Sequence, residues 1–170
     1  MKHVLQQEQF VARPRDEVFA FFSEAANLER ITPPSLRFVI KTRGPIEMQA
    51  GTLIDYEIAL WSVGFHWQTR IELFEPTFRF VDVQLQGPYR SWRHTHEFAD
   101  TVGGTIVRDR VEYELPLGPL GEIARILFVD RQLRSIFGFR REVIGEIFGA
   151  RGVAPARFPP NSRGASHEQS

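Results

Sequence analysis

The stretch from Gly118 to Phe148 limits the fold more than any other, because it predicts one long C-terminal helix. Pro119 stands in the first turn, where proline is tolerated. At about 1.5 Å per residue the helix would be roughly 45 Å long, more than a small domain needs for packing alone. The charged Arg140 is assigned to the face opposite an apolar stripe. The stripe comprises Ile123, Ile126, Leu127, Leu133, Ile136, Phe137, Ile144 and Phe148. Such a stripe requires a large apolar partner surface.

The chain before this helix supplies that surface as a series of short alternating segments. Residues 3–12 predict a first strand, and residues 14–31 predict two short helices. Six further strands are predicted over residues 36–42, 52–61, 64–73, 78–86, 91–99 and 105–115. This order predicts an α+β fold in which a bent antiparallel sheet of about seven strands wraps around the C-terminal helix.

Composition excludes several classes of function. Lys plus Arg and Asp plus Glu both number 21, so the net charge of zero argues against binding to nucleic acid or an anionic membrane. Without cysteine there is no disulfide, thiolate metal site or cysteine nucleophile. No apolar run is long enough for a signal peptide or a membrane span, so we expect a cytoplasmic protein with no stable membrane insertion.

The pattern within the strands predicts which side chains face the helix. A turn at Ser62 and Val63 would pair Ile58 with Trp67 and Tyr56 with Thr69. On the strand over residues 78–86, the inward face is predicted to be Val81, Val83 and Leu85. A hairpin that pairs Asp100 with Thr105 places the following residues on one inward face: Trp92, His94, His96, Phe98, Val107, Asp109, Val111 and Tyr113.

Three segments resemble a known family. They are Pro14 to Phe22, Asn27 to Pro34, and Gly87 to Trp92 continuing through His96-Glu97-Phe98. Together they resemble the helix-grip proteins of the SRPBCC superfamily, which includes START domains and birch-pollen-allergen-like proteins. The last segment is similar to the polyketide cyclase and coenzyme Q-binding branch, except that His96 stands where tryptophan is usual. The resemblance covers roughly residues 3–148 and implies a cavity for a lipid, quinone, polyketide or steroid.

His94, His96 and Asp109 are the candidate chemical groups. Because His96 and Asp109 are predicted to lie opposite each other, three interpretations stand: a satisfied polar pair in the core, an anchor for a ligand, or a general acid/base with its orienting carboxylate. The three residues also provide two imidazoles and a carboxylate, but this set matches no metal motif of the resembled family. We therefore expect no metal and no cofactor.

The predicted function is reversible binding of a small hydrophobic or amphipathic molecule. The alternatives are a cyclase, dehydratase or isomerase that uses His96 with Asp109, and a partner-binding module. Asp130 and Arg134 are spaced as an ion pair at the edge of the stripe, and Phe128 and Phe139 face away from it, where they suit a homo-oligomer contact. The predicted lining of the cavity is Tyr56, Ile58, Trp67, Ile71, Val83, Trp92, His94, His96, Phe98, Asp109, Val111, Tyr113, Ile123, Leu127 and Phe137.

The chain is expected to form one ligand-binding domain over residues 1–148, followed by a tail. Beyond Phe148 the composition shifts to Gly, Ala, Pro, Arg and Ser. Such a composition cannot bury enough apolar surface to fold, so residues 149–170 are predicted to be a disordered tail.

Overall fold

The computed structural model describes residues 1–60, 63–116, 118–119, 123 and 125–149. The first strand is followed by two short helices, six strands and a C-terminal helix. The strands are β1 (Lys2–Val11), β2 (Val39–Ile40), β3 (Leu53–Leu60), β4 (Val63–Glu75), β5 (Arg79–Gln86), β6 (Ser91–Thr101) and β7 (Gly104–Glu114). The helices are α1 (Arg15–Ser23), α2 (Ala25–Arg30) and α3 (Asp130–Phe148). The predicted α+β helix-grip class is confirmed.

One antiparallel sheet of seven strands has the order β1-β7-β6-β5-β4-β3-β2. The hairpin of β6 and β7 has the predicted register: Asp100 pairs with Thr105, His96 with Asp109 and Trp92 with Tyr113. The turn between them is short, and Gly103 adopts a positive φ of 80° that suits glycine. The sequence determines this register because the turn residues and the apolar face agree.

The predicted register between β3 and β4 is wrong by two residues. Tyr56 pairs with Trp67 and Ile58 with Phe65, because the pairing continues out to Leu60 and Val63. A shift of two leaves every side chain on its predicted face, since strand side chains alternate with a period of two.

The strand predicted over residues 36–42 is shorter in the structure. A 3₁₀ turn occupies Pro34–Leu36, and only Val39 and Ile40 pair with β3. The interruption follows from Arg37, whose φ of 43° lies in the left-handed region and breaks the extended backbone.

The predicted inward face of β5 is also wrong. Asp82 pairs with His94 in the antiparallel register, and directly paired residues point to the same side of a sheet. Because the histidine faces inward, Asp82 does too, while Leu85 is exposed and Val83 lies outside the cavity lining. Val81, the third residue of the predicted face, is buried but pairs with Thr95 on the face opposite to that of Asp82. The sequence pattern favoured the more apolar face and so placed the partly buried carboxylate of Asp82 outside.

The C-terminal helix is less uniform than predicted. A π-helical turn over Arg125–Val129 precedes α3. Its hydrogen bonds span five residues instead of four, so the phase of the 3.6-residue stripe changes across it. Ile123, Ile126 and Leu127 are 56–65% exposed and do not pack against the sheet as predicted.

The core consists of three apolar clusters. Val18, Phe98 and Ile144 belong to the first, which joins α1, the sheet and the end of α3. The second joins β7 to α3 through Val111, Tyr113, Leu133 and Phe137, and the third includes Ile54 and Ile71. Ile144 and Phe148 therefore anchor the end of the helix against α1 and the sheet.

Two buried glutamines of β1 bond to the backbone of α3. Gln7 Nε2 donates to the carbonyl of Phe137 at 3.4 Å, and Gln9 Nε2 donates to that of Arg141 at 3.0 Å. These bonds position α3 over the edge of the sheet, beside the pair of β1 and β7. Among the described residues, no helix has the length and apolar character needed to cross a membrane. The predicted disordered tail lies, apart from Gly149, outside the described residues.

Candidate functional site

A cavity of about 160 Å³ lies where the three core clusters meet, between the concave face of the sheet and the helices. The helix-grip arrangement produces it because one helix cannot contact the whole of a curved sheet. Its lining is mostly aromatic and aliphatic, with a few polar groups. The polar lining comprises Asn27, Thr32, Tyr56, Thr69, Asp82, His94, His96 and Arg140.

Eight of the predicted lining residues lie on this cavity: Tyr56, Ile58, Trp67, Ile71, Trp92, His94, His96 and Phe137. Seven do not: Val83, Phe98, Asp109, Val111, Tyr113, Ile123 and Leu127. Phe98, Val111 and Tyr113 face inward but pack within the apolar clusters. Asp109 lies behind the histidines, and Ile123 and Leu127 are exposed.

Two aspartates and two histidines form a compact polar cluster in one wall of the cavity. Asp109 Oδ1 accepts a hydrogen bond from His94 Nε2 at 3.0 Å and lies 2.7 Å from His96 Nδ1, the latter without hydrogen-bond geometry. On the other side of the rings, Asp82 Oδ2 is 3.3 Å from His96 Nε2 and 3.7 Å from His94 Nδ1. The predicted pair of His96 and Asp109 is therefore present, within a set of four.

Burial and charge act in opposite directions on this cluster. Burial lowers the pKa of His94, and the neighbouring His96 lowers it further, which outweighs the effects of the two aspartates. Burial also acts to lower the pKa of His96, but Asp109 and Asp82 outweigh it, so that pKa is raised. For Asp109, burial acts to raise the pKa, but the contacts with His94 and His96 bring it well below its usual range. The contacts with the two histidines therefore keep Asp109 in its ionised form.

Thr69 joins two aromatic side chains of the lining. Trp67 Nε1 donates to Thr69 Oγ1 at 3.1 Å, and the hydroxyl of Tyr56 lies 3.1 Å from the same oxygen. Burial, followed by the charge of Asp82, raises the pKa of Tyr56 well above its usual value. Tyr56 is therefore a neutral hydroxyl that is available to orient a bound molecule.

Arg140 is a lining residue that the sequence prediction missed. Its side chain is 8% exposed, its guanidinium carbon lies 5.2 Å from the centre of the Phe137 ring, and its Nε has no hydrogen-bond partner among the described residues. Its spacing was the available signal, since it is three residues from Phe137 and four from Ile144. Because Arg140 is charged, the sequence prediction places it away from the apolar stripe.

Asp82 is the second missed residue, and it changes which groups share one site. One ligand atom from each of Asp82, His94 and His96 lies within 4.8 Å of the other two. The sequence-based set had Asp109 in place of Asp82. The pairing of β5 with β6 places Asp82 beside His94, and the sequence alone did not determine that pairing.

The remaining candidates lie away from the cavity. Tyr113 donates to Asp130 Oδ1 at 2.7 Å beside a separate pocket of about 40 Å³ that Arg134 also lines. Phe128 is 53% exposed and Phe139 is half-buried. Their role in a homo-oligomer stays a prediction.

Comparison with known proteins identifies the family. Residues 11–136 match the sequence model of the family described as polyketide cyclase / dehydrase and lipid transport. The chain belongs to this family. No curated protein matches the sequence.

Solved structures agree with the polyketide cyclase / dehydrase and lipid transport family in fold. Ara h 8.0201 has a TM-score of 0.59 at 12% identity, over 86% of this chain and 99% of that chain. TTHA0849 from Thermus thermophilus has a TM-score of 0.61 at 18% identity, over 86% of this chain and 99% of that chain. The di-domain ARO/CYC StfQ from the steffimycin biosynthetic pathway has a TM-score of 0.67 at 18% identity, over 89% of this chain and 52% of that chain. At these identities the likeness shows the fold alone. The family match and this fold together confirm the resemblance to the helix-grip superfamily.

Proposed function

We propose that this protein reversibly binds a small hydrophobic or amphipathic molecule in the cavity between sheet and helix. The observation that carries the proposal is the cavity itself, which is lined by aromatic and aliphatic side chains and has its polar groups on particular walls. A lipid, a quinone and a polyketide all belong to this chemical class.

The volume of the cavity favours a ring over a large polycyclic molecule. An apolar cavity of about 150 Å³ holds benzene, and the cavity here measures about 160 Å³. It therefore encloses about one ring, such as the head of a quinone or one end of a polyketide. A larger ligand would have to displace part of the lining.

Apolar burial alone gives only weak binding. An aromatic side chain buries about 150–250 Å², and at about 25 cal/mol per Å² a ring of that size gains roughly 4–6 kcal/mol before the costs of association. A dissociation constant of 1 mM corresponds to about 4 kcal/mol. Micromolar affinity therefore requires polar contacts, and Tyr56, Arg140 and His96 line the cavity in positions to provide them.

A pair of tryptophan variants on one helix tests the cavity as the binding site. Ile136 lines the cavity, whereas Ser135 is exposed on the same helix. Calorimetric titration with a short-chain benzoquinone, 1-naphthol and a fatty acid is expected to give binding by the wild type and by Ser135→Trp. Ile136→Trp, whose ring fills the cavity, is expected to weaken that binding at least tenfold. Equal affinities of the two variants would contradict the proposed site, and no binding of any probe by the wild type would contradict the proposed class of ligand.

An enzyme of the cyclase, dehydratase or isomerase type is the second candidate. It is favoured by the position of His94 and His96, which both line the cavity while Asp109 contacts them from behind. Liquid chromatography coupled to mass spectrometry separates the two functions, because it also resolves products of unchanged mass. Each probe is analysed after incubation with the wild type and with His96→Gln. A carrier returns the probe unchanged in both cases, whereas an enzyme converts it only when His96 is present.

A further inference from the structure

The side of the His–Asp cluster that faces the cavity presents three donor atoms of the kinds that transition metals prefer. His94 Nδ1 and His96 Nε2 lie 3.7 Å and 3.3 Å from Asp82 Oδ2, and all three residues line the cavity. Two imidazoles and one carboxylate suit zinc, iron or cobalt in the divalent state. Both histidine side chains are nearly fully buried, so the donors are held in place by packing against Phe80 and Phe137.

Asp109 occupies the position of the carboxylate that, in many metal sites, contacts the second ring nitrogen of a metal-binding histidine. It contacts the far nitrogens of both rings, His94 Nε2 at 3.0 Å and His96 Nδ1 at 2.7 Å. The hydrogen bond from His94 Nε2 keeps a proton on that nitrogen and leaves His94 Nδ1 with a free lone pair. His96 Nδ1 contacts the same carboxylate without hydrogen-bond geometry, and the negative charge of Asp109 favours a proton on that nitrogen. The near nitrogens are the two that face Asp82, so one residue orients both imidazoles toward the same point.

The charges at the site also suit a divalent cation. Asp82 and Asp109 bring two carboxylates to a largely buried place, where unbalanced charge is costly. A divalent cation with two neutral imidazoles balances both carboxylates.

The spacing of the donors is close to that of a tetrahedral site. With metal bonds of about 2.1 Å, tetrahedral ligand atoms lie roughly 3.4 Å apart. The two distances to Asp82, 3.3 Å and 3.7 Å, already match, and all donor atoms lie within 4.8 Å of one another.

We propose that Asp82, His94 and His96 bind a divalent transition-metal ion, with Asp109 as the carboxylate that orients both histidines. Three protein ligands leave a fourth position open toward the cavity, where an oxygen of a bound molecule or water would coordinate. This reverses the expectation of no metal. The sequence placed Asp109 beside the histidines but placed Asp82 on the outer face, so the third ligand was missing from the prediction.

Cobalt(II) is the probe, because its visible absorption reports the number and type of its ligands. Protein prepared without a histidine tag and treated with chelator is titrated with CoCl₂, with metal content measured by elemental analysis. The wild type is expected to bind one Co²⁺ with the intense visible bands of a four- or five-coordinate site that includes nitrogen ligands. Zn²⁺ is expected to displace it and abolish the bands.

Substitutions assign the ligands. Asp82→Asn, His94→Gln and His96→Gln are each expected to abolish the bands, and Asp109→Asn is expected to weaken binding about 10–100-fold. His66→Gln is the matched control, since His66 is an exposed histidine with its own aspartate, Asp55, at 3.2 Å. Its variant is expected to bind as the wild type does.

Several outcomes would overturn the proposal. They are the absence of stoichiometric Co²⁺ binding by the wild type, the weak bands of a site with only oxygen ligands, and loss of binding in His66→Gln alone. Circular dichroism shows whether each variant folds, and if the cluster variants do not, the wild-type spectrum decides by itself. The metal titration needs no organic ligand, so its failure and that of the proposed binding function are distinguishable.

Discussion

At the scale of single residues, several polar side chains of the cavity wall share one partner inside an apolar lining. Thr69 Oγ1 is the common partner of Trp67 and Tyr56, and Asp109 contacts both histidines, with hydrogen-bond geometry to His94. A buried polar group without its partner costs about 1–3 kcal/mol, more than a satisfied bond contributes. Removing a shared partner is therefore expected to lower the free energy of unfolding more than removing a residue at the end of a network.

Thr69→Val tests the shared partner. The change keeps the shape of the side chain but leaves Trp67 Nε1 and the Tyr56 hydroxyl without their common partner. We expect urea unfolding to show a loss of about 2 kcal/mol or more. Thr95→Val, a threonine on the partly exposed outer face of β6, is the control and should change stability by less than about 0.5 kcal/mol. Similar losses for the two variants would contradict this account of the lining.

At the scale of elements, α3 has two parts with different tasks. Leu133, Phe137 and Arg140 line the cavity, whereas Ile144 and Phe148 lie in the cluster that joins α1 to the sheet. Gln7 and Gln9 connect the same helix to β1 between these parts. The end of α3 is therefore the anchor against which the cavity wall is held.

Ile144→Ala measures that anchor. The side chain is 2% exposed, so its truncation leaves a cavity in the first cluster and is expected to cost about 2–5 kcal/mol in urea unfolding. Leu127→Ala is the matched control from the π-helical turn, where the side chain is 58% exposed, and it should stay within about 0.5 kcal/mol of the wild type. A large loss of stability in Leu127→Ala would contradict this account and would indicate that Leu127 packs in the apolar stripe that the sequence predicted.

At the scale of the whole molecule, the three core clusters enclose the cavity instead of merging into one core. Phe148, in the first cluster, is the last core residue in the described part of the chain, which ends at Gly149. The predicted domain boundary after Phe148 stays a prediction.

Truncation after Gly149 tests that boundary. Because residues 150–170 contain few large apolar side chains, they are expected to add little to the core, and the shortened protein is expected to unfold within about 0.5 kcal/mol of the full chain in urea. The calorimetric affinity for the best probe ligand should also be unchanged. A loss of more than about 1 kcal/mol would place part of the core beyond residue 149.

The sequence by itself determined the class of fold, the order of its elements and the hairpin of β6 and β7. Those features follow from local signals: apolar periodicity, turn residues next to the strands they join, and the first-turn proline of a helix. The hairpin register placed His94, His96 and Asp109 together because one short turn fixes every pair along both strands.

Only the tertiary structure decided which further side chains join that group. Asp82 enters from β5, and Arg140 enters from α3, far away in the chain. A prediction from periodicity assigns charged residues to the solvent, because burying a charge is costly. That cost is offset when groups from distant parts of the chain pack against the buried charge. Those partners are specified by strand order and helix docking, which no local window of sequence contains. The polar wall of the cavity is therefore a property of the assembled fold.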